Sequence, residues 1–529
     1  MEHPMRASLS INHLSFTWPD GSTVLDGLDL SVGPGRHGLV GLNGCGKSTL
    51  LRLAAGDLTP QDGSVVVDGG LGYLPQDPGV DPTRTVADVL GVSAALEALA
   101  RVESGDVRQD DLDLLADGDG WDVAERTAAE LARLGLGHVG LDRPIGTASG
   151  GELVLLSLVA LLLRRPAVLL LDEPTNNLDV RARRRLIDVV SGWRGTLLVV
   201  SHDRELLNVM DDIGELRGGR VSWYGGGYDD YEAAVAVEQE AAARAVRAAE
   251  SDLRAQKRDL VESQTKLAHR RKVGEKAFVE KRQPKITMGN DKRRAEVSAG
   301  KLTGLHQARL EAATGHLDAA EARLRDDREV RIDLPGTAVP PGRVVLVAEG
   351  LTPPHGRAVL DLDVRGPERI GLTGPNGSGK TSLLRTIAGR LEPADGSVTV
   401  SVPARYLPQR MDVLDDGLTV AENIALIAPE ATETERRSRL ARFLFRGRAA
   451  DQLASTLSGG ERLRATLACL LLAEPAPQLL MLDEPTNNLD LPSIRHLVEA
   501  LRSYQGALIV VSHDERFLDD VGLTRRIEV

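Results

Sequence analysis

The sequence predicts an α/β fold, with two parallel-sheet domains joined by a long α-helical hairpin. Three observations predict it: a whole-domain internal repeat, an alternation of apolar strand, glycine loop and helix inside each repeat, and a strand-poor charged stretch between them. The repeat is the sharpest of the three. GLNGCGKST from Gly41 returns as GPNGSGKTS from Gly374, and LLLDEPTNNLD, ending at Asp179, returns as LMLDEPTNNLD, ending at Asp490. VVSHDRE before Leu206 reappears as VVSHDER before Phe517, and SGGE stands at Ser149 and again at Ser458. Four matches in the same order and at similar spacing are not chance.

Within the first repeat, the apolar stretch Gly38 to Val40 runs into a glycine loop, and a helix opens at Lys47 and continues through Leu50, Leu51 and Leu53. Val168 to Leu171 and Thr196 to Val200 read as buried parallel strands that stop where polar residues begin. Sites in such sheets lie at those strand ends. The segment from 232 to 333 is rich in Ala, Glu, Arg, Lys and Gln and reads as helix. Val246, Leu253, Leu260 and Leu267 recur every seventh position, and Leu310, Leu317 and Leu324 do so again after an interruption containing Pro and Gly. Two helices packed as an antiparallel hairpin account for both runs. The expected domains are therefore 6–231, a linker at 232–333, and 343–529, with a short arm-like insertion in the first domain at about 88–115.

Composition narrows the function classes. At 529 residues the chain exceeds what one core usually organises, and its 42% hydrophobic and 27% charged content is that of a globular protein. No apolar run approaches the about 20 residues a spanning helix needs, and Met1 to Ser10 lacks a secretory signal, so a cytoplasmic location is expected. Cys45 and Cys469 are too few for a disulfide framework, an iron–sulfur cluster or a four-cysteine zinc site. The net charge of −13 disfavours nonspecific nucleic-acid binding by the whole molecule. Its distribution is uneven. Arg254 to Lys301 holds 15 Lys and Arg against 6 Asp and Glu, a net +9, which leaves −22 on the remainder. The expected hairpin tip is basic on an acidic body.

The motifs carry phosphate chemistry. G-x-x-x-x-G-K-[ST] occurs as Gly41 to Ser48 and as Gly374 to Thr381, where Gly41, Gly44, Gly46, Gly374, Gly377 and Gly379 let backbone N–H groups close on phosphates at a helix N-terminus. Asn43, Thr49, Asn376 and Ser382 belong to the same loops. Lys47 and Lys380 are placed to reach the β and γ phosphates. Ser48 and Thr381 offer hydroxyls to Mg2+, with Asp172 and Asp483 as the other protein partners and Gln76 and Gln409, in the matching phrases YLPQD and YLPQR, as further contributors. Glu173 and Glu484 follow the aspartates and can polarise the attacking water, while His202 and His513 can contact the γ-phosphate from the next strand end. Trp18 stands upstream of the first loop, as an adenine-stacking residue or an ordinary hydrophobic one. In the second repeat His355 is the nearest counterpart.

With phosphate loop, glutamine loop, SGGE signature, DE pair, Asn-Asn-Leu-Asp loop and histidine in order twice, the chain resembles the ATP-binding cassette proteins. That resemblance implies ATP and Mg2+ as ligands and ATP hydrolysis as activity. It also implies composite sites: Ser458, Gly459 and Gly460 face the ATP on Lys47, and Ser149, Gly150 and Gly151 face the ATP on Lys380. Two fused cassettes with a charged helical linker of about a hundred residues and no membrane segment resemble the ABC-F class of ribosome-associated ATPases. The implied partners are rRNA and tRNA near the peptidyl-transferase region, reached by the tip at Arg282 to Arg294, with the protein a monomer whose cassettes close on each other. A short arm with a long linker resembles the antibiotic-resistance branch of that class. The alternative is the ATPase subunit of a membrane drug exporter. A DNA-repair or chromosome-structure ATPase would need zinc-binding cysteines or far longer coiled coils.

The sequence also departs from the family pattern. Asn177 and Asn488 stand where His is usual, and Leu153 and Leu155 stand where the second signature has Arg462 and Arg464. Unequal sites are the expectation.

Overall fold

A computed structural model describes residues 8–116, 120–176, 178–279, 304–322, 334, 336–356, 359–409, 412–487 and 489–529. The tip at Arg282 to Arg294, Leu324, Asn177 and Asn488 lie outside the described residues. The chain divides into two compact units, one formed by Met1–Asp230 with Glu329–Val529, the other by Tyr231–Arg328.

The first unit contains both repeats. In the first repeat a six-stranded sheet runs in the order Leu71–Leu74, Val168–Asp172, Thr196–Val200, Gly35–Val40, Asp212–Arg217, Arg220–Gly225. All pairings are parallel except the last. Val168–Asp172 and Thr196–Val200 are buried along their whole lengths, as continuous aliphatic runs in a sheet covered on both faces should be. The second repeat builds a five-stranded parallel sheet in the order Ala404–Leu407, Leu479–Asp483, Ala507–Val511, Arg369–Thr373, Arg525–Glu528. Each repeat adds a separate three-stranded antiparallel sheet: Thr23–Val32, Ser8–Thr17 and Asp62–Asp68 in the first, Leu360–Arg365, Val344–Thr352 and Asp395–Val400 in the second.

Among the described residues between Leu71–Leu74 and the helix Gly150–Leu163 the first repeat carries four α-helices, against two at the matching place of the second, Val420–Ile427 and Glu433–Arg442. The added residues include Ser93–Glu103 and Gln109–Ala116, held together by a two-pronged bond in which Arg101 Nε and Nη2 donate to Asp111 at 3.0 and 2.6 Å.

The second unit is helical. It takes in the helix Tyr228–Val279 from Tyr231 onward and helical residues 304–321. Val246, Leu253 and Leu260 are less exposed than most of their helical neighbours, and Leu310, Ala313 and Leu317 form a similar stripe. Both follow the 3.5-residue repeat read from the sequence. Among the described residues no helix is long and apolar enough to cross a membrane.

Leu170 is fully buried in a central strand, so Leu170→Ala should cost about 2–5 kcal/mol. Val66→Ala, at a side chain that is 55% exposed, should change stability by no more than about 0.5 kcal/mol. Urea unfolding followed by circular dichroism separates the two.

Candidate active site

Each phosphate loop leaves the end of a central parallel strand, Gly35–Val40 or Arg369–Thr373, and feeds a helix, Lys47–Ala55 or Lys380–Ile387. The turn into those helices needs glycine. Gly46 and Gly379 cap them at φ +104° and +109°, a left-handed conformation that side chains disfavour. Lys47 Nζ donates to the carbonyls of Gly41 and Leu42 at 2.8 and 3.0 Å, and Lys380 Nζ to those of Gly374 and Pro375 at 2.8 and 2.9 Å. Both ammonium groups are therefore held inside their own loops. Burial lowers the Lys380 pKa, opposed by the charges of Glu484, Asp179 and Asp483.

Ser48 Oγ donates to Asp172 Oδ1 at 3.1 Å and Thr381 Oγ1 to Asp483 Oδ1 at 3.0 Å. Strand pairing sets these distances, since Asp172 and Asp483 end strands that lie beside Thr196–Val200 and Ala507–Val511. Burial raises both aspartate pKa values against the pull of the hydroxyls and lysines. Hydroxyl and carboxylate oxygens are hard donors that suit Mg2+, an ion that completes its shell with water and substrate phosphate. Among the described residues no group of three or more His, Cys, Asp and Glu stands ready to hold a metal, so each pair fits Mg2+ only together with phosphate oxygens. Tyr406 adds a contact that the sequence reading did not assign. Its hydroxyl donates to Asp483 Oδ2 at 3.0 Å, and its pKa is pushed up to about 12 by burial and by that carboxylate.

Glu173 and Glu484 adopt φ of +48° and +45°, uncommon for residues with side chains. Their N–H groups donate to the carbonyls of Val200 and Val511 at 2.8 Å, so the adjacent strand holds the turn and aims both carboxyls into the site. Strain of this kind gathers at functional positions. His202 Nε2 stands 3.2 Å from Glu173 Oε1, and His513 Nε2 stands 3.4 Å from Glu484 Oε1. Burial pushes the Glu173 carboxyl up to about 8, despite Lys47, and that of Glu484 up to about 7. The same burial, with the neighbouring lysine, lowers His202 and brings His513 down to about 4. Both imidazoles are thus neutral at pH 7. Among the described residues, Nδ1 of His202 and Oε1 of Glu484 are buried without a hydrogen-bond partner.

One cavity of about 780 Å3 takes in both phosphate loops. Its lining includes Lys47, Ser48, Thr49, Gln76, Glu173 and His202 from the first repeat, and Lys380, Thr381, Ser382, Gln409, Glu484 and His513 from the second. Asn43, Gly44, Gly46, Asn376, Gly377 and Gly379 line it as well. Trp18 does too, packed edge-on against Phe16 with ring centroids 5.0 Å apart. His355 also lines it, and the two occupy matching places, just beyond the strands Ser8–Thr17 and Val344–Thr352.

The signatures divide. A Cβ built on Gly459 would lie 3.6 Å from the Asn43 Cβ, so the second signature abuts the first phosphate loop; a Cβ on Gly150 would meet open space. The signature serines also do a local task. Ser149 and Ser458 cap the helices Gly150–Leu163 and Gly459–Leu471 in reciprocal bonds with Glu152 and Glu461.

Sequence reasoning left the cross-repeat contacts unassigned, two of which reach the sites. Asp490 Oδ2 accepts the Asn43 N–H at 2.9 Å, and Arg183 Nη1 donates to the His513 carbonyl at 2.8 Å. Burial works against the Asp490 charge, but hydrogen bonds from Ser493 and the Asn43 N–H outweigh it and lower the pKa. The signal available for Arg183 was its alignment with Ile494, a polar residue where the other repeat is aliphatic.

The chain is similar to known proteins along most of its length. The ABC transporter family model matches residues 25–176 and 358–487. The tylosin resistance ATP-binding protein TlrC of Streptomyces fradiae is 36% identical over 94% of this chain and 93% of its own. The energy-dependent translational throttle protein EttA of Escherichia coli K12 is 33% identical over 95% of this chain and 89% of its own. Among solved structures, an archaeal ribosome recycling factor, aABCE1, in complex with the ribosomal stalk protein aP1, superposes with a TM-score of 0.56 at 20% identity, over 98% of this chain and 87% of that one, a likeness of fold.

If Glu173 and Glu484 are the groups that take a proton from water, they must be ionised to do so, and hydrolysis should fall as pH drops through the glutamate pKa. The pH dependence of kcat/KM reports the free enzyme's groups. With Glu484→Gln, leaving Glu173, the midpoint is expected near 8; with Glu173→Gln, leaving Glu484, near 7. Profiles flat from about pH 6 to about pH 9 would contradict these assignments.

Proposed function

Because the chain belongs to the ATP-binding cassette family, as a tandem-cassette ATPase of the ABC-F class that binds and hydrolyses ATP, we propose that it acts on the ribosome. ATP-driven closure of its cassettes would aim the basic linker at rRNA and tRNA. The observation that carries this reading is the extent of the likeness to TlrC and EttA, which spans both cassettes and the segment between them. One relative's name describes antibiotic resistance and the other's describes translation, and the ribosome is the target that joins them. The exporter-subunit alternative gains nothing from these relatives.

In the proposed reaction Lys47 and Lys380, with the loop amides, bind the β and γ phosphates, and Ser48 with Asp172 and Thr381 with Asp483 hold Mg2+. The ion supplies charge neutralisation at the phosphate oxygens when bound. Glu173 and Glu484 accept hydrogen bonds from the attacking water and draw off its proton. Their raised pKa values keep that proton affinity close to the working pH. Neutral His202 and His513 donate from Nε2 toward the γ-phosphate and fix the glutamate rotamers. Gln76 and Gln409 border each metal position, Trp18 stacks on the first adenine, and the two signatures close the sites from the opposite cassette.

The linker is the proposed RNA-binding element. The net +9 between Arg254 and Lys301 suits phosphate-rich RNA, and binding of that kind weakens steeply with salt. The working form is a cytoplasmic monomer with domains at 6–231, 232–333 and 343–529.

The test is cosedimentation of the Glu173→Gln, Glu484→Gln protein with ribosomes. ATP should enrich it in the ribosome pellet by about tenfold or more over the nucleotide-free control, since binding without hydrolysis holds the closed state. Removing Arg282 to Arg294 should abolish the enrichment and leave ATPase activity within about twofold. No ATP-dependent enrichment would defeat the ribosomal reading. Expression of the wild type in tylosin-sensitive cells then tells a resistance factor from a general translation factor.

A further inference from the structure

We propose that Arg183 is a positioning residue for the second ATP site, reaching across the cassette interface to fix the loop that carries His513. Arg183 stands on the helix Val180–Ser191 of the first cassette and is buried. Its guanidinium is divided between two partners. Nη2 donates to Asp203 Oδ1 at 2.6 Å within its own cassette, and Nη1 donates to the His513 carbonyl at 2.8 Å in the other. Glu205, 3.6 Å from Nη2, adds a further anion on the first-cassette side.

The far end of this link is the hydrolytic centre of the second site. The His513 N–H donates to Glu484 Oε2 at 3.3 Å, and its Nε2 lies 3.4 Å from Glu484 Oε1 and 3.1 Å from Asn376 Oδ1 in the phosphate loop. A carbonyl held on one side of His513 therefore sets where its ring, and through it Glu484, can sit. Displacements of about 1 Å at such a centre are enough to slow a reaction markedly.

The link has no mirror image. The position matching Arg183 in the second cassette is Ile494, buried and without a polar atom, so it cannot hold the His202 loop in the same way. The asymmetry extends along the interface. Arg204 Nη1 reaches Asp520 of the second cassette at 2.7 Å, whereas the second cassette has Glu515 where the first has Arg204. In these two bonds the first cassette supplies the arginine and the second the oxygen, while Arg516 of the second cassette donates to Asp229 Oδ1 of the first at 2.6 Å.

Two substitutions separate positioning from general stability. Arg183→Lys keeps a cation beside Asp203, but a compact ammonium lacks the planar fork that serves an acceptor on each side. Arg183→Ile installs the residue of the second cassette and also leaves the Asp203 carboxylate without its partner. Each is made in the full-length chain with Glu173→Gln, where only the second site turns over, and with Glu484→Gln, where only the first does. Steady-state ATPase is then measured without ribosomes.

The expected result is that Arg183→Lys lowers second-site kcat about fivefold to tenfold with little change in KM, moves the pH midpoint of second-site kcat/KM, and leaves first-site kcat within about twofold. Arg183→Ile should lower second-site kcat further. Equal losses at both sites with Arg183→Lys, no loss at either, or a Glu173→Gln protein already inactive with Arg183 in place would each overturn the proposal. It rests on hydrolysis at the two sites and not on the ribosomal reading, whose failure would appear as lost cosedimentation with these activities intact.

Discussion

Buried charge at the face shared by the two cassettes is the constraint on which the remaining structure depends. Lys47, Lys380, Asp172, Asp483, Glu484, Arg183 and Asp490 are all buried, and an ion removed from water is tolerated only with partners close at hand. Some partners are local, as with the carbonyls that hold each lysine. Others come from the opposite cassette: the Asn43 N–H for Asp490, the His513 carbonyl for Arg183. Each half supplies a partner to a buried group of the other, so the sheets, loops and caps deliver side chains to one common face. The raised glutamate and lowered histidine pKa values follow from the same burial.

The two sites share their chemistry, and the described residues show a brace from across the interface at each. At the first, the phosphate loop is held from across the interface by Asp490 and approached by Gly459. At the second, the histidine loop is held by Arg183. The signatures differ in the same sense. In the second cassette Arg462 donates to Asp416 at 2.6 Å and to the Ala454 carbonyl at 3.2 Å, tying the signature helix to the preceding loop. The first cassette has Leu153 in that place and a buried Leu155 where Arg464 lies over Phe445.

Much of this was legible in the sequence because the motif residues act over short spans. Gly46 and Lys47 belong to one turn, Asp172 and Glu173 are adjacent at a strand end, and repetition of each phrase separated function from chance. The aliphatic runs Val168 to Leu171 and Thr196 to Val200 likewise betrayed a sheet buried on both faces. Contacts between residues far apart in the chain were not legible. Arg183 sits in the run VRARRR, which reads as a solvated helix face until folding shows which arginine turns inward. Asp490 was visible only as the last letter of a motif, since its partner lies 447 positions away. The capping role of Ser149 and Ser458 is written in S-x-x-E, a spacing that the signature shares with any helix N-terminus of this kind.

The claim most open to direct measurement is that the second signature completes the first ATP site. In a Cys45→Ser background, Asn43→Cys and Gly459→Cys place sulfurs on Cβ positions 3.6 Å apart, within the range of a disulfide. Mild oxidation of the purified monomer followed by non-reducing electrophoresis should give a fast-migrating internally cross-linked species, at a yield raised by ATP in the Glu173→Gln, Glu484→Gln form. A chain that stays uncross-linked with and without ATP, or links only between two molecules, would contradict the composite site.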